Sequence, residues 1–331
     1  MSDQFDATPP ALSPTSPLPG AVAQNWRGFL DVCEPLRPEL FRYCRYLTRS
    51  PWDADDLVQD TLARAFVTLA CVHQELANPR AWLFRVASNV WLNRVRGARE
   101  LPTDAPNAAQ PSDAEPRLTR EAAGTLIGRL APQERAAVVL KDVFELSLEE
   151  IAETLATSVG AVKAALHRGR GKLVTPDEAY PAAPAPAVLD AFCAAFNARD
   201  LNGLTALLLD AVVLEFPGLS IEYGVEAARR GSLSGVLFGD PSSERSGIGR
   251  AYRSGLHARP PLLELRMHRG EALLLGWFAH DAGEAVRAIS RVSVEGERVA
   301  HIRTYLQSPE VLTEICAELG VPFRSSGYRY W

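Results

Sequence analysis

Asp53-Ala54-Asp55-Asp56-Leu57-Val58-Gln59-Asp60, running on to Thr61-Leu62-Ala63-Arg64-Ala65-Phe66, has a helical period and a charge pattern that helix stability alone does not favour. Leu57, Val58, Leu62, Ala65 and Phe66 fall on one stripe suited to burial. Opposite that stripe, Asp56 and Asp60 lie one turn apart with Gln59 beside them, and like charges at this spacing cost an isolated helix about 0.2–0.5 kcal/mol. Two readings fit this window taken by itself. Asp53 can cap the first turn, with the neighbouring carboxylates suited to the positive end of the dipole, or the acidic face exists to meet a positively charged partner.

A second segment, Ser147 to Leu173, has the pattern of a helix-turn-helix. Ser147 and Glu150 form an S-x-x-E capping box for a first helix that buries Leu148, Ile151, Ala152 and Leu155. After the turn Ala156-Thr157, Ser158 caps a second helix with Val159, Val162, Leu166, Gly169 and Leu173 on one stripe. Lys163, His167, Arg168, Arg170 and Lys172 cover the rest, and no acidic residue occurs from Ser158 to Lys172. Such a helix can lie against phosphates and reach base edges in a major groove. The plainer alternative is a helical hairpin with a basic, solvated face.

In chain order, the acidic helix is followed by Pro79-Arg80-Ala81-Trp82-Leu83-Phe84-Arg85-Val86-Ala87-Ser88-Asn89, by Leu130-Ala131-Pro132-Gln133-Glu134-Arg135 and by Ser158-Val159-Gly160-Ala161-Val162-Lys163. Together these motifs resemble an extracytoplasmic-function (ECF) sigma factor of the sigma-70 superfamily, a small bacterial RNA polymerase specificity subunit. The resemblance covers roughly residues 26 to 175. It implies that Asp56, Gln59 and Asp60 dock on the β′ clamp helices of core RNA polymerase. It further implies that Arg80, Arg85, Asn89, Asn93 and Arg96 contact promoter DNA near the melted element, and that Ser158, Lys163, His167, Arg168, Arg170 and Lys172 contact the upstream element. The loop Ala70 to Asn78, with His73 and Gln74, is where it would place a pocket for a flipped base.

The chain of 331 residues, 47% hydrophobic, is long enough for two or three compact units. A net charge of -5 conceals an uneven distribution, since Arg80, Arg85, Arg94, Arg96 and Arg99 cluster after the acidic helix. Cys33, Cys44, Cys71, Cys193 and Cys316 form no C-x-x-C pair, which indicates neither a zinc site nor a disulfide framework. Neither a signal-peptide pattern nor an apolar run of spanning length is present, so a soluble, cytoplasmic protein without cofactor or membrane partner is expected.

The domain expectation is a disordered Pro-rich tail over 1–25, a helical sigma region 2 domain over 26–100, a linker over 101–116, and a region 4 helix-turn-helix domain over 117–174. A second Pro-rich linker, 175–187, then leads to a further domain over 188–331. In that last unit, helices are expected over Val188 to Ala198 and Leu201 to Leu209. Strands are expected over Val212 to Phe216, Leu262 to His268, Ala272 to Phe278, Val286 to Val294 and Arg298 to Leu306, with Glu295-Gly296 as a hairpin turn and a closing helix from Pro309 to Leu319. Helices first, strands after, and the phrase Phe196-Asn197-Ala198-Arg199-Asp200 resemble SnoaL-like members of the nuclear-transport-factor-two-like superfamily, which implies an α+β cone whose sheet wraps a pocket. His301, Arg303 and Tyr305 alternate onto one face of the last strand and are candidates for lining that pocket, with His268, His280 and Asp281 as further titratable groups.

The function expected is therefore that of a non-catalytic sigma factor that binds core polymerase and promoter DNA, modulated by its C-terminal domain, with a small-molecule ligand or an anti-sigma protein as further partner. Two alternatives are a helix-turn-helix regulator with a ligand-binding domain and a bifunctional protein whose last domain converts a metabolite. The segment Trp26 to Arg99, which an ordinary regulator has no use for, weighs against the first.

Overall fold

The computed structural model describes residues 17–71, 78–100, 130–171, 186–238, 260–280, 283–325 and 327–328. The decisive acidic segment lies on helix α3 (Pro51–Cys71), packed between α1 (Pro17–Cys33), α2 (Arg37–Thr48) and α4 (Pro79–Glu100). Ser50 caps α3, its Oγ accepting the Asp53 N–H at 3.3 Å, so Asp53 belongs to the first turn and is not the cap. Pro51 sits where a helix needs no N–H. Helix α2 stops at Arg49, which takes the left-handed conformation at φ 69°. Helix α1 begins inside the stretch read from composition as tail.

Leu57, Val58, Leu62 and Ala65 are buried against Leu40, Tyr43, Cys44 and Leu47 of α2, as the stripe demands. On α4 the buried set is Leu83, Phe84, Ala87, Trp91 and Leu92, while Trp82, Val86 and Val90 are half-buried.

The next unit comprises α5 (Pro132–Asp142), α6 (Leu148–Thr154) and α7 (Val159–Gly171). The Ser147 capping box is formed in both directions: Ser147 Oγ accepts the Glu150 N–H at 3.1 Å and Glu150 Oε2 accepts the Ser147 N–H at 2.7 Å. Gly169 lets α7 approach α5 closely, since a Cβ there would lie 2.9 Å from Val138 Cγ2.

The C-terminal unit opens with α8 (Ala187–Asn197) and α9 (Leu201–Ala206), and carries strands β1 (Leu208–Phe216), β2 (Ser220–Tyr223), β3 (Leu262–His268), β4 (Glu271–His280), β5 (Gly283–Glu295) and β6 (Arg298–Tyr305). Short helices α10 (Val225–Ala228) and α11 (Ser234–Phe238) follow β2, and α12 (Pro309–Leu319) follows β6, after which Phe323 bridges to Val286 of β5. The sheet order is β2-β1-β6-β5-β4-β3, with β1 and β6 parallel and the other pairs antiparallel. This corrects the cone expectation: β2 and β3 are the two edges and do not pair, so the sheet is open and is not curled shut around a pocket.

Alternation along the strands divides the sheet between two cores. Leu274, Ala288, Val299 and Ile302 face Leu189, Phe192, Phe196 and Leu204 of α8 and α9. Leu273, Leu275, Val286, Ile289 and Tyr305 face the other way, joining Val311, Leu312 and Ile315 of α12 in the same apolar cluster that contains Leu40, Leu57 and Trp52. The sheet is thus packed against the first helical domain through its own last helix. Leu57→Ala, at a fully buried position, is expected to cost about 2–5 kcal/mol, read as a lowered urea midpoint in tryptophan fluorescence; an unmoved midpoint would show that α3 is not part of this core.

Candidate functional site

The carboxylates Asp55 and Asp56 of α3 are covered. Asp55 is 1% exposed, and its Oδ2 accepts a hydrogen bond from Ser308 Oγ at 2.9 Å while Arg37 approaches Oδ1 at 3.6 Å. Ser308 is the N-cap of α12 and turns its hydroxyl to Asp55 instead of to its own helix. Asp56 is bonded to the Arg303 guanidinium. Beside this pair the Trp52 and Tyr305 rings meet at 4.7 Å, Arg291 lies over Trp52 at 5.3 Å, and Gln59 lies so near Gly218 that a Cβ there would meet its Oε1 at 3.3 Å. Two turns along α2 from Arg37, Arg45 grips Glu314 of α12 with Nε and Nη2 at 2.8–3.0 Å.

Strand register explains how the sheet presents these groups. Arg303 stands between Glu215 on β1 and Arg291 on β5, giving a row that faces α3. His301 lies next to it, 3.3 Å from Glu215, and Arg303 also reaches Glu215 at 3.4 Å. Arg303 and Tyr305 meet helix α3, through Asp56 and Trp52, while His301 is engaged by Glu215 within the sheet. Burial pushes the Asp56 carboxyl up to about 7, with Arg303 acting in the opposite direction. Burial likewise raises Asp55 against the pull of Arg37 and Ser308. Asp60 stays exposed and pairs with Arg94 of the neighbouring helix.

The basic residues of α4 separate into two groups. Arg80 donates to both oxygens of Glu39, at 2.6 and 2.9 Å, and Arg85 is bonded to Glu153 of α6. Asn89, Asn93 and Arg96 are exposed, Arg96 donating to Asn93 at 3.3 Å. Residues 72–77 of the Ala70 to Asn78 loop, with His73 and Gln74, lie outside the described residues, as does Asp281. His268 is buried against Glu318 at 2.6 Å, which leaves it a structural role in the sheet-to-α12 packing.

On α7, Ser158 Oγ accepts the Ala161 N–H at 3.2 Å and so acts as the cap. Lys163, His167, Arg168 and Arg170 project outward. Arg168 is held by Glu134 at 3.0 Å and Arg170 by Asp142, while Lys172 lies outside the described residues. Lys163, His167 and Arg170 line, with Lys141 of α5, a basic depression of about 560 Å³. Lys141, Arg291 and Ser308 are site residues that sequence reasoning missed, because each is placed by tertiary packing and belongs to no motif. Among the described residues no His, Cys, Asp and Glu cluster could hold a metal, and no helix is long and apolar enough to cross a membrane.

Residues 33–100 match the family model for sigma-70 region 2 and residues 120–173 that for sigma-70 region 4. The RNA polymerase sigma-E factor of Streptomyces coelicolor is 35% identical over 150 residues, 44% of this chain and 83% of that protein. The chain belongs to the ECF-type sigma-70 family. The ECF RNA polymerase sigma factor SigG of Mycobacterium tuberculosis is 32% identical over 234 residues, 59% of this sigma factor and 63% of SigG, so the chain spans under two thirds of that relative. Among solved structures, Mycobacterium tuberculosis SigJ aligns over 86% of this chain and 98% of its own at 26% identity and a TM-score of 0.32. By these family matches, helices α2 to α4 carry region 2, and α5 to α7 carry region 4.

The seam between region 2 and the sheet makes a direct prediction. In the intact sigma factor, Arg303→Ala is expected to raise carbodiimide-driven amine labelling of Asp56 severalfold by peptide mass spectrometry. Asp60, already exposed, serves as the internal control, and equal labelling of Asp56 in both proteins would show that Arg303 does not shield it.

Proposed function

We propose that this sigma factor binds core RNA polymerase through Asp56, Gln59 and Asp60 of α3, docking on the β′ clamp helices. On this reading it directs initiation by contacting promoter DNA through Asn89, Asn93 and Arg96 of α4 and through Lys163, His167, Arg168 and Arg170 of α7. Polymerase performs the chemistry; the sigma factor supplies charge complementarity that steers and orients. The C-terminal α+β domain regulates this by occupying the polymerase-binding face. One observation carries the regulatory part: Arg303 and Ser308 meet the adjacent carboxylates Asp56 and Asp55 in the way a basic docking surface would. A carboxylate held by an arginine within the chain cannot at the same time be offered to another cation, so closure and polymerase binding exclude each other. The domain stands where a separate anti-sigma protein would otherwise act.

Co-purification with core polymerase tests both parts. Arg303→Glu is expected to increase the amount of sigma factor retained, and Asp56→Arg with Asp60→Arg to abolish retention while the helical circular-dichroism signal persists. Retention that survives the double substitution would remove the docking assignment; retention unchanged by Arg303→Glu would remove the regulatory one. For the second DNA contact, Lys163→Glu with Arg168→Glu should spare polymerase binding, weaken promoter binding and make its salt dependence shallower. A footprint on the upstream element that survived this pair would show the recognition helix to lie elsewhere.

A further inference from the structure

The segment that follows α12 returns to region 2. Gly320 ends α12 in the left-handed conformation at φ 68°, and the chain then runs beside β5 beyond the point where β6 stops, Tyr305 being paired with Ile289. There the Val286 N–H donates to Pro322 O and the Arg324 N–H to Val286 O, each at 2.9 Å. Phe323 between them bridges to Val286, and its half-buried side chain packs on the apolar cluster that the sheet shares with region 2. A second left-handed glycine, Gly327 at φ 76°, turns the chain, its N–H donating to Ser325 Oγ at 2.9 Å. Tyr328 is thereby set against region 2: its ring lies 4.4 Å from the Arg37 guanidinium at the start of α2, and its hydroxyl donates to Glu310 in the first turn of α12.

Arg37 is costly to bury where it stands. Its side chain is 6% exposed, the nearest oxygen of Asp55 is 3.6 Å away, and its Nε and Nη2 make no hydrogen bond. A cation in the first turn of a helix also opposes the helix dipole, so α2 gains nothing from it. A charge kept from water with so little compensation depends on whatever keeps the water out. Tyr328 is that cover, and its ring supplies the attraction that a guanidinium finds on an aromatic face. Burial and the Glu310 carboxylate push the Tyr328 phenol well above its ordinary range, so it stays a donor to Glu310. We propose that residues 321–328 form a strap across the seam between the sheet and region 2, clipped to β5 at Phe323 and latched by Tyr328 on Arg37 and Glu310, and that unlatching loosens the hold of the sheet on α3. The route is short. With Tyr328 withdrawn, water reaches the Arg37–Asp55 pair, Asp55 no longer needs Ser308 of α12, and the adjacent Asp56–Arg303 pair loses its shelter. The strap rests on the regulatory reading only for what unlatching does to polymerase binding; its contacts are its own.

The test uses the full chain without polymerase and reads carbodiimide-driven amine labelling of single carboxylates by peptide mass spectrometry. Tyr328→Ala is expected to raise labelling of Asp55 and Asp56 severalfold while Glu134, buried in region 4, keeps its low value. Tyr328→Phe, which leaves a ring over Arg37 and removes the bond to Glu310, should give a smaller rise. Unchanged labelling of Asp55 and Asp56 in Tyr328→Ala overturns the proposal. A parallel rise at Glu134 also overturns it, because the loosening would then be general and not confined to the seam. An equal rise in Tyr328→Phe and Tyr328→Ala overturns the latch on Arg37. Should Tyr328→Ala not fold, Gly327→Val takes its place: it leaves every packed side chain unchanged and strains only the left-handed turn that delivers Tyr328. The same selective rise is expected there, and its absence overturns the proposal. Polymerase retention is scored separately with Arg303→Glu, so the strap can fail while the regulatory reading stands, and the reverse.

Discussion

Two neighbouring carboxylates on one helix dictate much of how this molecule is put together. Asp55 and Asp56 cannot be covered by apolar surface without an opposing charge or donor, because an unpaired buried carboxylate costs several kcal/mol. The chain meets that requirement from its own far end: Arg37 and Ser308 address Asp55, and Arg303 addresses Asp56. With those groups in place the rest can close. Trp52 packs on Tyr305, Arg291 caps Trp52, and the α12 side chains Val311, Leu312 and Ile315 enter the same cluster as Leu57. Polar pairing decides where the sheet sits, and apolar burial decides how firmly.

The same logic operates on the opposite side of region 2. There the closure is led by an aromatic ring, Phe144, with Arg85 and Glu153 as the flanking pair. Region 2 is therefore held between a charged seam and an aromatic one. The two differ in their response to conditions. Added salt weakens exposed ion pairs such as Arg85 with Glu153 far more than it weakens stacked rings, and it affects the half-buried Asp56 pair less than the exposed one.

How much of this could be read in advance depends on the range of the interaction involved. The stripe Leu57, Val58, Leu62 and Ala65, the Ser147 capping box, strand Leu262–His268 and helix Pro309–Leu319 all follow from local period and local punctuation, and they lie where those signals put them. Strand β2 escaped notice because it is four residues long and its apolar members, Ile221 and Tyr223, are exposed, which inverts the usual pattern. Closure of the sheet was misjudged because helices followed by strands are common to open and closed sheets, and only edge pairing distinguishes them. The polar face of β6 was legible from its alternation. Its occupant was not, since Asp56 and Arg303 are separated by 247 residues and nothing local records that choice. Arg80 and Arg85 pose the same difficulty: a basic helix face looks identical in sequence whether its charges wait for phosphate or are engaged by Glu39 and Glu153.

Strand β6 is an interior strand, hydrogen-bonded to β1 on one side and β5 on the other. The Arg303 backbone is consequently anchored in the middle of a plate and not on a frayed margin. Drawing β6 away from α3 has to carry its paired neighbours with it, so parting the sheet from α3 is a movement of the whole plate that gives up the Asp56, Asp55 and Trp52 contacts together.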